Sequence, residues 1–266
     1  MKIKKRATPR YGLADVAYFN ADKMGRPSWS YVCWLDVMGM RSRMVWSDAI
    51  SANGIFKLYN AAVRACKKAG HPSGFRLYPV MDGAFLTAER WQELADVVRE
   101  TMRLYAGTFL ITNSNALRFM IRGGMSYGPI YHGSGLKHEA DTYLAAQPDI
   151  RNAIVIGTPV LSAYTTERGA PPFGIGVDRC LARRFETGED EDSSVDTQKG
   201  LYHWHLATGK LAGELVTAIR EYYTWYRKFG SASAYPPKER AEHLRSATSY
   251  FTFRLKGSRG RDGATK

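Results

Sequence analysis

YVCWLDVM, residues 31–38, is a nearly unbroken apolar run that carries one carboxylate, Asp36, and stops at Gly39. Its β-branched and aromatic content over so short a length reads as a buried central strand ending in an acid. An aspartate in so apolar a setting is costly unless it is paired, hydrogen-bonded or metal-bound. Further along, FRLYPVMDGAFLTA (75–88) sets two short apolar segments around Asp82-Gly83. An Asp-Gly step between such runs is a strong hairpin signal.

Between these two acids the pattern turns helical. Ile55, Leu58, Tyr59, Ala62 and Cys66 recur at helical spacing over residues 47–70, and Gly70 with Pro72 ends the run. A second amphipathic helix is predicted over 89–107, with Trp91, Leu94, Ala95, Val98, Met102 and Tyr105 on one face. LRFMIRGGMSYGPIYHG (117–133) reads as a glycine-interrupted strand pair, where absent side chains let another backbone or a ligand come close. AIVIGTPVLSAYTTERG (153–169) reads as a short strand running into a helix, and PFGIGVDRCLA (172–182) as another strand. The acidic stretch 186–196 is expected to be mobile, and LYHWHLA (201–207) alternates like a strand. Residues 210–255 read as helical with a Gly/Ser/Pro break at 230–237. The order predicts an α+β fold of the ferredoxin-like βαββαβ kind, a sheet with helices on one face. A basic arm over 1–30 precedes it, and a C-terminal helical extension over 211–266 follows.

Composition bounds the function classes. The chain has 266 residues, 44% hydrophobic and 24% charged, which is ordinary for a globular protein. No apolar run approaches the roughly 20 residues that cross a bilayer, and no secretory signal follows the basic start, so no membrane partner is expected. Three scattered cysteines, Cys33, Cys66 and Cys180, argue against a disulfide framework and fit a cytoplasmic, reducing setting. The net charge of +13 suits either a nucleic acid or a polyanionic small substrate such as a triphosphate. Much of the excess sits at the ends, in Lys2, Lys4, Lys5, Arg6 and Arg10 and in Arg254, Lys256, Arg259, Arg261 and Lys266. That placement reads as solvated tails and weakens the case for a nucleic-acid partner.

The two acids carry the chemistry. In a βαββαβ sheet the first strand and the hairpin are neighbours, so Asp36 and Asp82 can meet. Two divalent cations, Mg²⁺ or Mn²⁺, about 3.5–4 Å apart would remove their repulsion and position a triphosphate. The bland alternatives are that Asp36 caps the next helix and Asp82 merely serves its turn. Backbone groups of Val37, Met38, Gly39 and Met40 at a helix start, with Arg41 and Arg43, are candidates to meet phosphate. The arginines' alternative is solvated charge at the start of a helix. Arg122, between Ile121 and Gly123, suits phosphate binding or a buried ion pair. Tyr78 suits stacking on a base or simple packing. His203 and His205 would share one strand face, but no acid or cysteine completes a metal set. Tyr222, Tyr223, Trp225, Tyr226 and Phe229 form an aromatic stripe that reads as core or interface.

LDVMGMRSRM (35–44) resembles the first metal-aspartate motif of class III nucleotide cyclases, and VMDGAFL (80–86) resembles the second. RGGMSYGPIYHG (122–133) is similar to the strand pair that follows, and IVIGTPVLSAYTTE (154–167) to the strand–helix element carrying purine contacts and transition-state groups. The resemblance covers about residues 30–210 and implies a cyclase catalytic domain there. The alignment puts Tyr78 where adenylate cyclases carry a base-reading lysine and Ile154 at the second purine-reading position. It puts Leu161 and Thr165 where an asparagine and an arginine stabilise the transition state. Metal aspartates without purine contacts, and a helix ending in Glu167, resemble the bacterial Pycsar pyrimidine cyclases. That resemblance implies a nucleoside triphosphate substrate, UTP favoured, a cyclic UMP product read by a separate effector in antiphage defence, and a homodimer with shared active sites. The alternatives are a cytidylate or purine cyclase, or a catalytically silent, basic nucleic-acid-binding protein on the same sheet.

Overall fold

Strand β1, Ser28–Val37, sits at the centre of an eight-stranded mixed sheet, hydrogen-bonded on one side to β3, Gly83–Ala88, and on the other to β4, Ile121–His132. The computed structural model describes residues 25–135, 146–208, 210–229 and 235–253, without the side chain of Phe229. Residues 1–24 of the basic arm, and the basic positions from Arg254 to Lys266, lie outside the described residues. Strand β2, Arg76–Val80, forms the hairpin with β3, giving the order β2-β3-β1-β4 expected of a βαββαβ unit. The sheet continues through β6, Ile175–Val177, β8, Leu201–Tyr202, and β7, Val195–Asp196, while β5, Val155–Ile156, pairs with the end of β4.

Side chains alternate along β1, so its two faces see different cores. Tyr31, Cys33, Leu35 and Val37 face the larger one, beneath helices α2, Asp48–Lys68, and α3, Trp91–Ile111. Helix α2 follows the short α1, Met40–Trp46, and is N-capped by Ser47, whose hydroxyl accepts from the Ile50 N–H at 3.3 Å. Val32 and Trp34 face a second, small core with Ile130 and Ala163. The helices are therefore not confined to one face. After the short α4, Pro148–Asn152, and β5, the chain runs through α5, Thr158–Glu167, across the Trp34 side of the sheet. The cause is topological. Strands β4 and β6 are parallel, so the chain between them must cross over a face, and α2 and α3 already fill the other. Gly124 permits the approach: a side chain there would fall on the Ala163 carbonyl and the Glu167 amide.

Four local expectations are corrected. Residues 121–132 form one continuous strand, and Gly124 and Gly128 serve close approach to α5 instead of a turn. The acidic stretch is pinned: Asp190 accepts from the Tyr31 hydroxyl at 2.7 Å and from Arg184 Nε at 2.6 Å, and Asp192 accepts from Trp91 Nε1 at 3.0 Å. Only Leu201 and Tyr202 of the 201–207 stretch pair as strand. Past them the chain coils into a 3₁₀ turn, Trp204–Ala207, where Trp204 Nε1 donates to the Phe173 carbonyl at 2.7 Å. The segment 172–182 likewise becomes strand and then helix, α6, Arg179–Thr187, capped by the Asp178 carboxylate.

The C-terminal helices α7, Leu211–Phe229, and α8, Pro237–Phe251, pack into the larger core through Tyr222, Tyr223, Tyr226, Tyr250 and Phe251. No helix among the described residues is long and apolar enough to cross a membrane.

Candidate active site

Asp36 shares the Trp34 face of β1 and lies opposite Gly83 on β3 and Arg122 on β4. A side chain at Gly83 would fall on the Trp34 ring and the Leu35 carbonyl, so glycine there lets β3 pass close beside β1. Asp82 occupies the turn between β2 and β3. The Val37 N–H donates to the Asp82 carbonyl at 3.2 Å, and the Tyr59 hydroxyl from α2 donates to the Met81 carbonyl at 2.7 Å. The hairpin tip is thereby held against the end of β1. Asp36 and Asp82 line one open cleft of about 330 Å³ with Arg122, Glu167 and Arg168, walled by Trp34, Val80, Met81 and Tyr164.

The cleft is electrostatically uneven. Burial, and then the negative charges of Glu167 and Asp82, push the Asp36 carboxyl up to about 7, with Arg122 opposing them. Glu167, the last residue of α5, is also raised by burial, although its side chain is ion-paired to Arg122. Arg122 Nη1 reaches the Arg168 carbonyl at 3.4 Å as well. Among the described residues neither Asp36 nor Asp82 has an ion-pair partner, and no three His, Cys, Asp or Glu gather as metal donors. Mg²⁺-type ions commonly take one or two carboxylates and fill their remaining positions with phosphate oxygens and water. Two converging acids, one of them half-buried and only partly offset by Arg122, fit that donor set.

The remaining sequence candidates divide. Arg122 enters the cleft with the two aspartates. The Val37 and Met38 amides are already used, by the carbonyls of Asp82 and of Met120 at 2.8 Å, so they are not open to phosphate. Gly39 is in the left-handed region, φ +74°, where a side chain would also strike the Tyr235 hydroxyl. The Met40 side chain is buried in the larger core, and Arg41 is exposed on α1. Arg43 points inward, donating to the Ala116 carbonyl at 3.0 Å and the Tyr222 hydroxyl at 2.8 Å beside the Phe119 ring. It braces the helices and does not reach the cleft.

Tyr78 is buried on β2, stacked against His132 with its hydroxyl on His132 Nδ1, and burial raises its phenol. It shares the Trp34 face through its pairing with Phe85 but does not line the cleft. His203 and His205 are almost fully buried in an aromatic nest with Tyr250, and burial pushes them down to about 4 and about 3. Leu161 is exposed on α5, and the Thr165 hydroxyl bonds back to the Leu161 carbonyl at 3.0 Å.

Sequence reasoning passed over Trp34, Tyr164 and Arg168. The signal for Trp34 was its place two residues before Asp36 on one strand face. For the others it was their spacing of four on a helix.

No protein-family model matches the sequence, and no curated protein matches it. Among solved structures the chain is similar to the monomeric guanylyl cyclase domain of the RhoGC fusion protein from the aquatic fungus Blastocladiella emersonii. The identity is 12%, over 61% of this chain and 88% of that one, with a TM-score of 0.42. It is also similar to an adenylate/guanylate cyclase/hydrolase from Silicibacter pomeroyi, with 17% identity, 62% and 83% coverage and a TM-score of 0.42. For the adenylyl cyclase CyaB from P. aeruginosa the values are 12%, 61%, 82% and 0.41.

Proposed function

We propose that this chain is a metal-dependent nucleotide cyclase that converts a nucleoside triphosphate, UTP in preference, to a 3′,5′-cyclic monophosphate and pyrophosphate. The observation carrying this reading is the convergence of Asp36 and Asp82 on one cleft, in segments that resemble the two metal-aspartate motifs of class III cyclases. Asp36 and Asp82 are the residues that would hold Mg²⁺ or Mn²⁺. The ions would supply charge neutralisation at the triphosphate and acidify the ribose 3′-hydroxyl.

The chain's own residues position the reaction. Asp36 lies at the strand end and Asp82 at the hairpin tip, tied together through the Val37–Asp82 backbone bond. Trp34 and Tyr164 supply apolar wall against which sugar or base can rest, and Arg168 supplies positive charge, that of Arg122 being offset by Glu167. The 3′-oxygen attacks the α-phosphorus, its proton passes to water, and the bond from the α-phosphorus to the α–β bridging oxygen breaks, releasing pyrophosphate. Positioning and charge stabilisation suffice, with no covalent nucleophile.

The preference for UTP rests on the resemblance to Pycsar cyclases. Cytidine is the alternative base. By the same resemblance the product is a second messenger for a separate effector in antiphage defence, made by a homodimer whose protomers complete one another's sites. Exposed Leu161, Tyr164, Val80 and Met81 around the cleft suit such a contact.

The test is incubation of the purified protein with each of the four NTPs and Mn²⁺, followed by mass spectrometry. Cyclic UMP is expected, lost in Asp36→Ala and in Asp82→Ala. Full turnover in either variant removes the two-aspartate reading. Salt-dependent nucleic-acid binding without pyrophosphate release would favour a silent binding protein instead.

A further inference from the structure

We propose that Arg168 is a substrate-contacting catalytic residue, binding the triphosphate and stabilising the charge that develops on it during cyclisation; this rests on the cyclase reading. Two guanidiniums line the cleft, and they are not equivalent. Arg122 is committed to Glu167, and that pair is largely self-neutralising. Arg168, the C-cap residue that follows α5, forms no ion pair among the described residues and is exposed. Its guanidinium lies over the Tyr164 ring at 5.6 Å, one helical turn back, and both residues line the cleft that holds Asp36 and Asp82.

The backbone beneath Arg168 is fixed from two sides. Arg122 Nη1 donates to its carbonyl, and the absence of a side chain at Gly124 seats the Ala163–Glu167 turn directly on β4. The side chain therefore projects from a rigid base over an aromatic platform, which restricts its orientation before any ligand arrives. A basic residue at a helix C-terminus also has a structural use, since it complements the helix dipole. That use does not require the cleft position or the Tyr164 platform.

A guanidinium fork matches two phosphate oxygens at once. As the 3′-oxygen bonds to the α-phosphorus, the bond to the bridging oxygen breaks and its electron pair passes to the departing pyrophosphate. Arg168 stays protonated and transfers nothing; it stabilises that charge. Removal of one preorganised donor of this kind lowers kcat by about 10²–10³-fold.

The experiment compares wild type with Arg168→Ala, Arg168→Gln and Arg168→Lys. The readouts are kcat and KM for the cyclic product, calorimetric affinity for inorganic tripolyphosphate with Mn²⁺, and Tm. Loss of kcat by about 10²-fold in Ala and Gln, weaker tripolyphosphate binding, partial recovery in Lys and an unchanged Tm are expected. Wild-type kcat and tripolyphosphate affinity in Arg168→Ala or in Arg168→Gln would overturn the assignment while leaving the cyclase reading standing. If wild type cyclises no NTP, the cyclase reading fails and the tripolyphosphate titration alone decides: equal affinity in wild type and Arg168→Gln overturns a phosphate-binding role.

Discussion

The Val37 amide donates to the carbonyl of Asp82 at 3.2 Å, so the residue after the first acid holds the backbone of the second. The two carboxylates thus belong to one rigid corner of the sheet, and their proximity does not depend on a ligand.

That corner should respond to divalent ions. Mn²⁺ is expected to raise Tm in wild type and to leave it unchanged in Asp36→Asn and in Asp82→Asn, measured by differential scanning fluorimetry with and without chelator. Cyclic-nucleotide formation should drop by about 10²-fold or more in both. Without metal, Asp36→Asn should be at least as stable as wild type, because its carboxylate is half-buried beside other acids. A wild-type Mn²⁺ shift in both variants would place the ion elsewhere.

Gly124→Ala tests whether α5 must sit directly on β4. The new methyl meets backbone of Ala163 and Glu167, which cannot swing aside as a side-chain tip could. A loss of about 1–3 kcal/mol in urea unfolding is expected, together with reduced turnover as Glu167 and Arg168 shift. Unchanged stability would mean that the helix rides higher over the strand.

Gly39→Ala combines a left-handed backbone with a collision against Tyr235, whereas Gly70→Ala meets the backbone cost alone, having open space around it. About 1 kcal/mol is expected at Gly70 and clearly more at Gly39, compared by denaturant midpoints. Equal losses would show that Tyr235 yields.

Acid lability should trace to the buried imidazoles. Unfolded histidine takes its proton near pH 6.5, but His203 and His205 in the fold do so only near 4 and 3. Their contribution is complete above pH 6.5 and is lost as pH falls toward the folded values, about 2 kcal/mol each by pH 5. Urea midpoints measured from pH 7.5 to 5 should fall more gently in a His203→Phe/His205→Phe variant than in wild type. Parallel curves would assign the lability elsewhere.

Much of this architecture is legible in the chain because local pattern and burial agree. The run 31–38 marks a central strand, the Asp82-Gly83 step marks its hairpin, and the apolar spacing of 89–107 marks α3. What escaped is non-local. Gly124 looks like an interruption of a strand, yet its purpose is a helix about forty residues away that needs the space. Arg43 looks like a solvated charge because nothing nearby in sequence announces Ala116 and Tyr222 as its acceptors. Acidic 186–196 looks free because Tyr31 and Trp91, which hold Asp190 and Asp192, are remote. The acids of the cleft were visible from strand-end and turn chemistry. Arg168 was not, because its significance lies in which guanidinium Glu167 leaves uncommitted.

The Arg122–Glu167 pairing also sets the charge that a ligand meets in the cleft. With that pair neutral and Asp36 ionised, the cleft presents two carboxylates against one guanidinium, a surplus of negative charge facing a polyanion. On the proposed cyclase reading that surplus would turn naked nucleotide away and admit nucleotide escorted by its counterions, a checkpoint on how the substrate is dressed.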